Sequence, residues 1–372
     1  MTAAQTVDAF PYWRLSRRAG PPGDREIDAR PFRVLVATDA WRPQVNGVVR
    51  TLEALAGEAP WHGAELRFLT PQGFRTLPMP SYPEIRLAMA TPASVARAIE
   101  AARPNAIHVA TEGPIGAMTR RYCLRHRLPF TTCYHTRYPE YLAARAPIPL
   151  SAAYAVLRRF HNAAAATMVA TDTLRQELAG RGFDRLVRWR RGIDVDAFTG
   201  GRSDALEGLA RPIFLCVARV AVEKNIEAFL KLDLPGTKVV VGDGPARAEL
   251  AARYPRARFL GFLSGAALAD AYASADAFVF PSLTDTFGLV VLEALAAGLP
   301  VAAYPVAGPR DILAGSGCGA LDKDLAAAAM AALAIPRSRC RNFAAGHSLA
   351  DSVRSFLDNV RAAQGAAALP AG

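Results

Sequence analysis

Residues 280–300, FPSLTDTFGLVVLEALAAGLP, narrow the possible folds more than any other stretch of this 372-residue chain. Residues 277–280 read as the end of a buried strand, residues 281–286 as a short polar loop, and residues from about 287 to 297 as a helix. Gly298 supplies a C-cap, and Pro300 stands where a helix cannot continue. Residues 299–304 then read as a second apolar strand. A strand-loop-helix-strand unit of this kind belongs in an open α/β sheet, whose ligands bind at the carboxyl ends of the strands. The helix is apolar nearly all round and is expected to be buried, yet it carries the carboxylate of Glu293. Two readings are open. The helix start offers free N–H groups to a phosphate while Glu293 accepts the hydroxyls of a ribose. Alternatively, Glu293 pairs internally with an Arg, and Asp285 merely caps the helix.

The same strand-helix alternation runs through almost the whole chain, which argues for an α/β protein of two domains. Strands are expected at residues 33–38, 65–70, 85–88, 106–110, 130–134 and 166–170, with helices at 92–102 and 116–127 between them. Residues 74–82, FRTLPMPSY, read as a Pro-interrupted loop with exposed apolar side chains. After the first strand, Asn46-Gly47 is a turn signal at a helix mouth, and Gly47 lets backbone approach a phosphate or sugar. The strand at 130–134 ends in His135-Thr136-Arg137-Tyr138, a grouping placed for binding, although a strand-end histidine with a local hydrogen bond would look the same. Residues 147–159 bring a Pro-bearing apolar lip beside Arg158-Arg159, either an interfacial segment or an ordinary helix over a domain edge.

Gly192 and the polar run around it mark a boundary, and residues 200–211 read as linker. The expected organisation is an extension over residues 1–30, a first domain over 31–200 and a second over 201–372, its last helix packing back on the first domain. In the second domain, strands are expected at residues 213–218, 238–241 and 258–260, and helices at 224–230, 246–253 and 265–274. Arg219 and Lys224 bracket the loop after the first of these strands and could clamp a diphosphate; the plainer alternative pairs Arg219 with Glu223. Gly242-Asp243-Gly244-Pro245 is a tight turn that permits close approach but lacks dinucleotide spacing.

Composition bounds the functions. No 18-residue uncharged apolar run exists, so no spanning helix is expected, and residues 1–30 hold no apolar core of signal-peptide length. The five Cys form no CxxC pair, which suits a reducing cytoplasm and argues against a disulfide framework or structural zinc. The net charge of +11 is unevenly placed: between residues 33 and 191, Arg outnumbers Asp and Glu by about two to one and Lys is absent. A basic half suits nucleic acid, an anionic membrane or an acidic ligand, or reflects an Arg-rich coding bias.

Taken together, Asn46-Gly47-Val48, Arg191-Gly192-Ile193-Asp194, Arg219 with Lys224, Gly242-Asp243-Gly244-Pro245 and the stretch from Thr286-Phe287-Gly288 to Glu293-Ala294 resemble glycosyltransferase family 4 over nearly the whole chain. ATEGPIG at residues 110–116 and YHTRYPEYL at 134–142 look like its branch of bacterial mannosyltransferases and sulfoquinovosyl-diacylglycerol synthases. The resemblance implies the GT-B architecture, two Rossmann-like domains facing across a cleft, and a retaining reaction. It implies that Arg219 and Lys224 hold the donor diphosphate and that Glu293 binds the ribose. The donor also meets Thr286, Phe287, Gly288 and Leu289 at the helix tip, Gly242, the Gly261–Leu263 loop at the base, and Gly47. His135 is implied near the anomeric carbon, with Asn46, Arg137 and Tyr138 on the acceptor side. The family's first Glu of a Glu-x7-Glu pair falls on Asp285, whose side chain is shorter by about 1.5 Å. That leaves the donor sugar open.

The expected activity is transfer of a hexose from a nucleotide sugar, GDP-mannose or a UDP-hexose, to a lipid such as diacylglycerol or a glycolipid. It would take place at the cytoplasmic face of the membrane, where the enzyme is peripheral and bound to anionic lipid. Fixed cations would stabilise the departing diphosphate, so no metal is expected and none of the residues forms a metal cluster. No protein nucleophile stands out, so the expected attack is on the same face, assisted by the leaving phosphate. A soluble or polyprenyl-linked sugar acceptor and nucleotide-sugar epimerisation are the rival reactions. A basic nucleic-acid-binding module is a rival of another class, disfavoured because no such motif is found. The missing GxGxxG speaks against a nicotinamide enzyme.

Overall fold

A computed structural model of the chain describes residues 31–44, 46–79, 82–143 and 147–368. The expected extension, residues 1–30, lies outside the described residues. The chain forms two compact units. One holds the described residues up to Arg190 together with those from Ala350 onward; the other holds Arg191–Leu349. The division thus falls ten residues before the boundary expected from sequence, and the segment expected as linker belongs to the second unit. Within it Leu206 is buried, Arg202 N donates to Asp270 Oδ1 (2.7 Å) and Ala205 N donates to Ser274 Oγ (3.1 Å). These bonds to the helix Gly265–Ser274 make it packed structure rather than a tether.

The strands of the first unit, in chain order, are β1 (Phe32–Ala37), β2 (Ala64–Leu69), β3 (Thr76–Met79), β4 (Tyr82–Ala88), β5 (Ala106–Val109), β6 (Phe130–Cys133), β7 (Ala166–Val169) and β8 (Leu186–Arg188). Six form a parallel sheet in the order β2-β1-β5-β6-β7-β8. Every residue of β5, β6 and β7 is buried, as expected of a parallel sheet covered on both faces. One expectation fails here: the stretch expected as a loop at residues 74–82 contains β3, which pairs antiparallel with β4 in a separate ribbon. Pro78 donates no backbone hydrogen bond, and a two-stranded ribbon tolerates it where a central strand would not. The terminal helix, Leu349–Ala368, closes this unit from residue 350 onward. Its Phe356 ring lies 5.0 Å from both His108 and Trp189, and the Trp189 indole N–H donates to Ser352 O (3.1 Å).

The second unit contains β9 (Ile213–Val217), β10 (Thr237–Val241), β11 (Arg258–Gly261), β12 (Ala277–Phe280), β13 (Val301–Ala303) and β14 (Gly319–Leu321). They form a parallel sheet in the order β11-β10-β9-β12-β13-β14. Alternate residues of β9 enter opposite cores. Ile213, Leu215 and Val217 pack with Phe278, Leu292 and Leu295, and Phe214 and Cys216 pack with Val240 and Val279. All five cysteines are free and buried. Among the described residues no helix is long and apolar enough to cross a membrane.

Candidate active site

In the second sheet the chain runs outward from β9 in one direction to β10 and β11, then returns to its other side at β12. That reversal opens a crevice at the carboxyl ends of β9 and β12, the place where open α/β sheets bind ligands. The loop after β9 carries Ala218 and Arg219, then a tight turn Val222–Lys224 and Asn225 in the left-handed conformation (φ 52°). The loop after β12 carries Pro281 to Gly288. Three side-chain contacts stitch the two loops together. Asn225 Nδ2 donates to Pro281 O (3.0 Å), Thr284 Oγ1 donates to Glu223 O (3.2 Å), and Lys224 forms an ion pair with Asp285. Lys224 and Asp285, 61 residues apart in sequence, therefore meet as one unit. Directly below, burial pushes the Cys216 thiol up to about 12, with Lys224 and Asp285 as its charged neighbours, so that thiol stays protonated.

The helix after this loop is Leu289–Ala296, two residues shorter at its start than expected. Thr286 and Phe287 lie in the bend before it, and Gly288 is its N-cap with φ 92°. As a glycine, this N-cap has no side chain of its own to cap the helix start. Glu293 sits in its second turn at 2 % exposure, and its Oε2 accepts a hydrogen bond from the Tyr272 hydroxyl (3.0 Å). Ser282, at the carboxyl end of β12, is also buried.

Gly242, expected on the donor side, approaches the protein itself closely: a Cβ there would lie 1.8 Å from Ala218 O at φ 138°. The turn supports the Arg219 loop, since Val220 N donates to Asp243 O (2.9 Å) and Ala246 N to Val220 O (3.0 Å). In the loop expected to meet the base, Gly261 O accepts Gly242 N–H (2.7 Å), and the Leu263 side chain packs on the core.

The first unit repeats the crevice between β1 and β5, but it is furnished differently. Asp39, after β1, turns its carboxylate onto the start of the helix Pro114–Arg125. Ile115 N donates to Oδ1 (2.8 Å), while Gly116 N (3.2 Å) and the Thr111 hydroxyl (3.0 Å) donate to Oδ2. Burial nevertheless pushes the Asp39 carboxyl above its ordinary value, outweighing these donors, and the Glu112 charge acts in the same direction. Glu112 Oε1 lies 3.0 Å from His161 Nε2, and His161 Nδ1 lies 3.0 Å from Thr132 Oγ1. Tyr138 keeps part of its ring exposed, but its hydroxyl is enclosed; burial, Glu112 and Asp39 raise its pKa. His135 is half-buried, edge-on to Trp189 at 5.8 Å.

Two of the residues expected on the acceptor side are engaged within the protein. The Arg137 guanidinium is committed to Glu177 through Nη1 (2.9 Å) and Nη2 (2.7 Å); burial works against its charge and Glu177 more than offsets it. Asn46 is a helix cap whose side chain accepts from Val48 N and Val49 N. Gly47 is exposed, and a Cβ there would meet nothing within 4 Å. Asn225, Thr284, Tyr272, Asp39 and the Glu112–His161 pair were missed from sequence. The buried carboxylate of Glu293, which required a donor, was the one signal that could have led to Tyr272. Among the described residues no group of three His, Cys, Asp or Glu is placed to hold a metal ion.

Residues 45–197 match the family model described as Glycosyltransferase Family 4, and residues 211–335 the one described as glycosyl transferases group 1. A GDP-mannose-dependent alpha-mannosyltransferase of Mycobacterium tuberculosis is 32 % identical over 306 residues, covering 76 % of this chain and 81 % of that protein. An alpha-monoglucosyldiacylglycerol synthase of Acholeplasma laidlawii is 25 % identical over 326 residues, 73 % of this chain and 79 % of that one. Among solved structures, Anabaena HepE in complex with UDP and glucose matches with a TM-score of 0.67 at 15 % identity, over 89 % of this chain and 100 % of that chain. The two Rossmann-like parallel sheets are those of the GT-B fold.

Proposed function

Because the chain belongs to glycosyltransferase family 4, we propose that it moves a hexose, with retention, from GDP-mannose or a UDP-hexose to a lipid such as diacylglycerol or a glycolipid. The donor half of this reading is carried by Arg219, Lys224 and Asp285 at the carboxyl ends of β9 and β12, in the same crevice as the start of the helix Leu289–Ala296. A nucleotide diphosphate brings two phosphates that need fixed positive charge, and the charge on its leaving oxygen grows as the glycosidic bond breaks. Cations and helix N–H groups held in place beforehand stabilise that charge without reorganising, which is where most of the rate enhancement originates. No step in this reading requires a metal. Asp285 holds Lys224 in position before the donor arrives, and its shorter reach compared with the family's Glu places the choice of sugar on this residue. Glu293 receives the ribose hydroxyls.

The lipid half rests on two supports. One relative is named as an alpha-monoglucosyldiacylglycerol synthase. The helix Leu150–His161 also exposes Leu150 and Val156 beside Arg158 and Arg159, an apolar and basic face suited to the cytoplasmic surface of an anionic membrane.

The test is hexosyl transfer to diacylglycerol in vesicles of anionic phospholipid, with EDTA present. The expected result is a glycolipid of unchanged anomeric configuration, at a rate that falls steeply as salt rises. Lys224→Ala should lower turnover about a hundredfold or more. Transfer only to a soluble or polyprenyl-linked sugar would overturn the lipid half and leave the donor half standing. Loss of all transfer in EDTA, restored by a divalent cation, would overturn the metal-free reading.

A further inference from the structure

Tyr272 and Glu293 form a buried pair. Tyr272 lies in the helix Gly265–Ser274 and Glu293 in Leu289–Ala296, and the tyrosine is fully buried. Packing alone would be met by phenylalanine at such a position. A buried hydroxyl raises the energy of the fold unless it has a partner; here the nearer acceptor is the Glu293 carboxylate at 3.0 Å, with the Val290 carbonyl farther off at 3.5 Å.

The geometry of the pair is set by the fold. The Tyr272 ring is held edge-on by Phe198 at 5.8 Å and on another side by Phe278 at 5.8 Å. The guanidinium of Arg337 fastens the ends of both helices. Its Nη1 donates to Ala275 O (2.7 Å), and its Nη2 donates to Ala273 O (3.0 Å) and Ala297 O (3.5 Å). A carboxylate at the end of a glutamate side chain turns easily, because its last torsion is broad. A fixed donor on Oε2 removes that freedom and sets the plane in which the carboxylate presents its lone pairs. Preorganisation of this kind raises affinity by lowering the ordering cost of binding.

We propose that Tyr272 is a positioning residue for the donor: it orients the Glu293 carboxylate to accept the ribose hydroxyls, so that its contribution is to nucleotide affinity and depends on those hydroxyls. This inference rests on the donor reading above.

The experiment measures binding of GDP and UDP, of their 2′-deoxy and 3′-deoxy forms, and of inorganic pyrophosphate to the wild type and Tyr272→Phe by calorimetry. In the wild type, removing the ribose hydroxyl that meets Glu293 should weaken binding about tenfold. Tyr272→Phe should bind the parent nucleotide about three- to tenfold more weakly and discriminate less between ribose and deoxyribose. Pyrophosphate, which has no ribose, should bind both proteins alike. If Tyr272→Phe keeps full affinity and full discrimination, the inference fails and the donor reading stands. If it loses affinity for pyrophosphate and nucleotide in equal proportion, Tyr272 is merely structural and the inference fails. If the wild type itself ignores the ribose hydroxyls, the assignment of Glu293 falls and takes the inference with it.

Discussion

The two sheets share one plan and carry opposite charges at one matching position. In each, a central strand, β1 or β9, is flanked on one side by the strand that follows it in sequence and on the other by a strand that returns later, β5 or β12. Two residues past the end of each central strand stands a charged side chain: Asp39 after Ala37, and Arg219 after Val217. In the first unit the carboxylate turns onto the helix start opposite and takes up its N–H groups. In the second unit the residue is a cation, the N-cap Gly288 has no side chain to offer, and Lys224 adds a second cation. A helix start attracts negative charge in either case. An Asp at that position supplies the charge from within the protein; an Arg there cannot, and in the function proposed above the donor diphosphate brings it.

The comparison can be broken most severely at the glycines that let these loops pack. A methyl group at Gly242 would lie 1.8 Å from Ala218 O, at a backbone angle that L residues rarely adopt. Gly242→Ala should therefore cost more than about 3 kcal/mol in chemical denaturation, because backbone must move to admit it. Gly47→Ala meets nothing within 4 Å and should stay within about 0.5 kcal/mol of the wild type. Equal stability of the two variants would contradict the packing of the Arg219 loop.

A smaller effect sharpens the first half of the comparison. Asp39→Asn keeps the shape but replaces a carboxylate that accepts three donors, and should cost about 1–2 kcal/mol. Its pH dependence has a definite sign. The folded-state pKa of Asp39 is raised by burial, so the folded chain holds the proton more tightly than the unfolded one. The stabilisation from that proton is complete below the ordinary value of 3.8 and is lost as pH rises through the folded value. Thermal melts should show the advantage of wild type over Asp39→Asn shrinking as pH rises from about 4. An advantage that grows over the same range would mean that the donors outweigh burial.

Legibility in the sequence followed locality. Buried strands such as β5 and β6 are short apolar runs and could be read directly. The short β8 and the Pro-bearing β3 could not, because neighbours rather than propensity decide their pairing. At the site, Arg219, Lys224, Asp285 and Glu293 could be named because loop position and an out-of-place charge mark them. Their partners could not: nothing near Arg137 points to Glu177, forty residues on, nor anything near Glu293 to Tyr272. Gly242 illustrates a different limit. Close approach to a phosphate and close approach to a neighbouring carbonyl demand the same residue, and only the fold tells them apart.

The central claim is that the diphosphate is held where the second sheet carries its cation, and that the first sheet's helix start is already satisfied. Calorimetric titration of UDP and GDP into the wild type, Arg219→Ala and Asp39→Asn tests it directly. The account predicts that Arg219→Ala weakens the bound nucleotide about tenfold or more, while Asp39→Asn stays within about threefold of the wild type. Nucleotide binding that survives in Arg219→Ala but is lost in Asp39→Asn would contradict it.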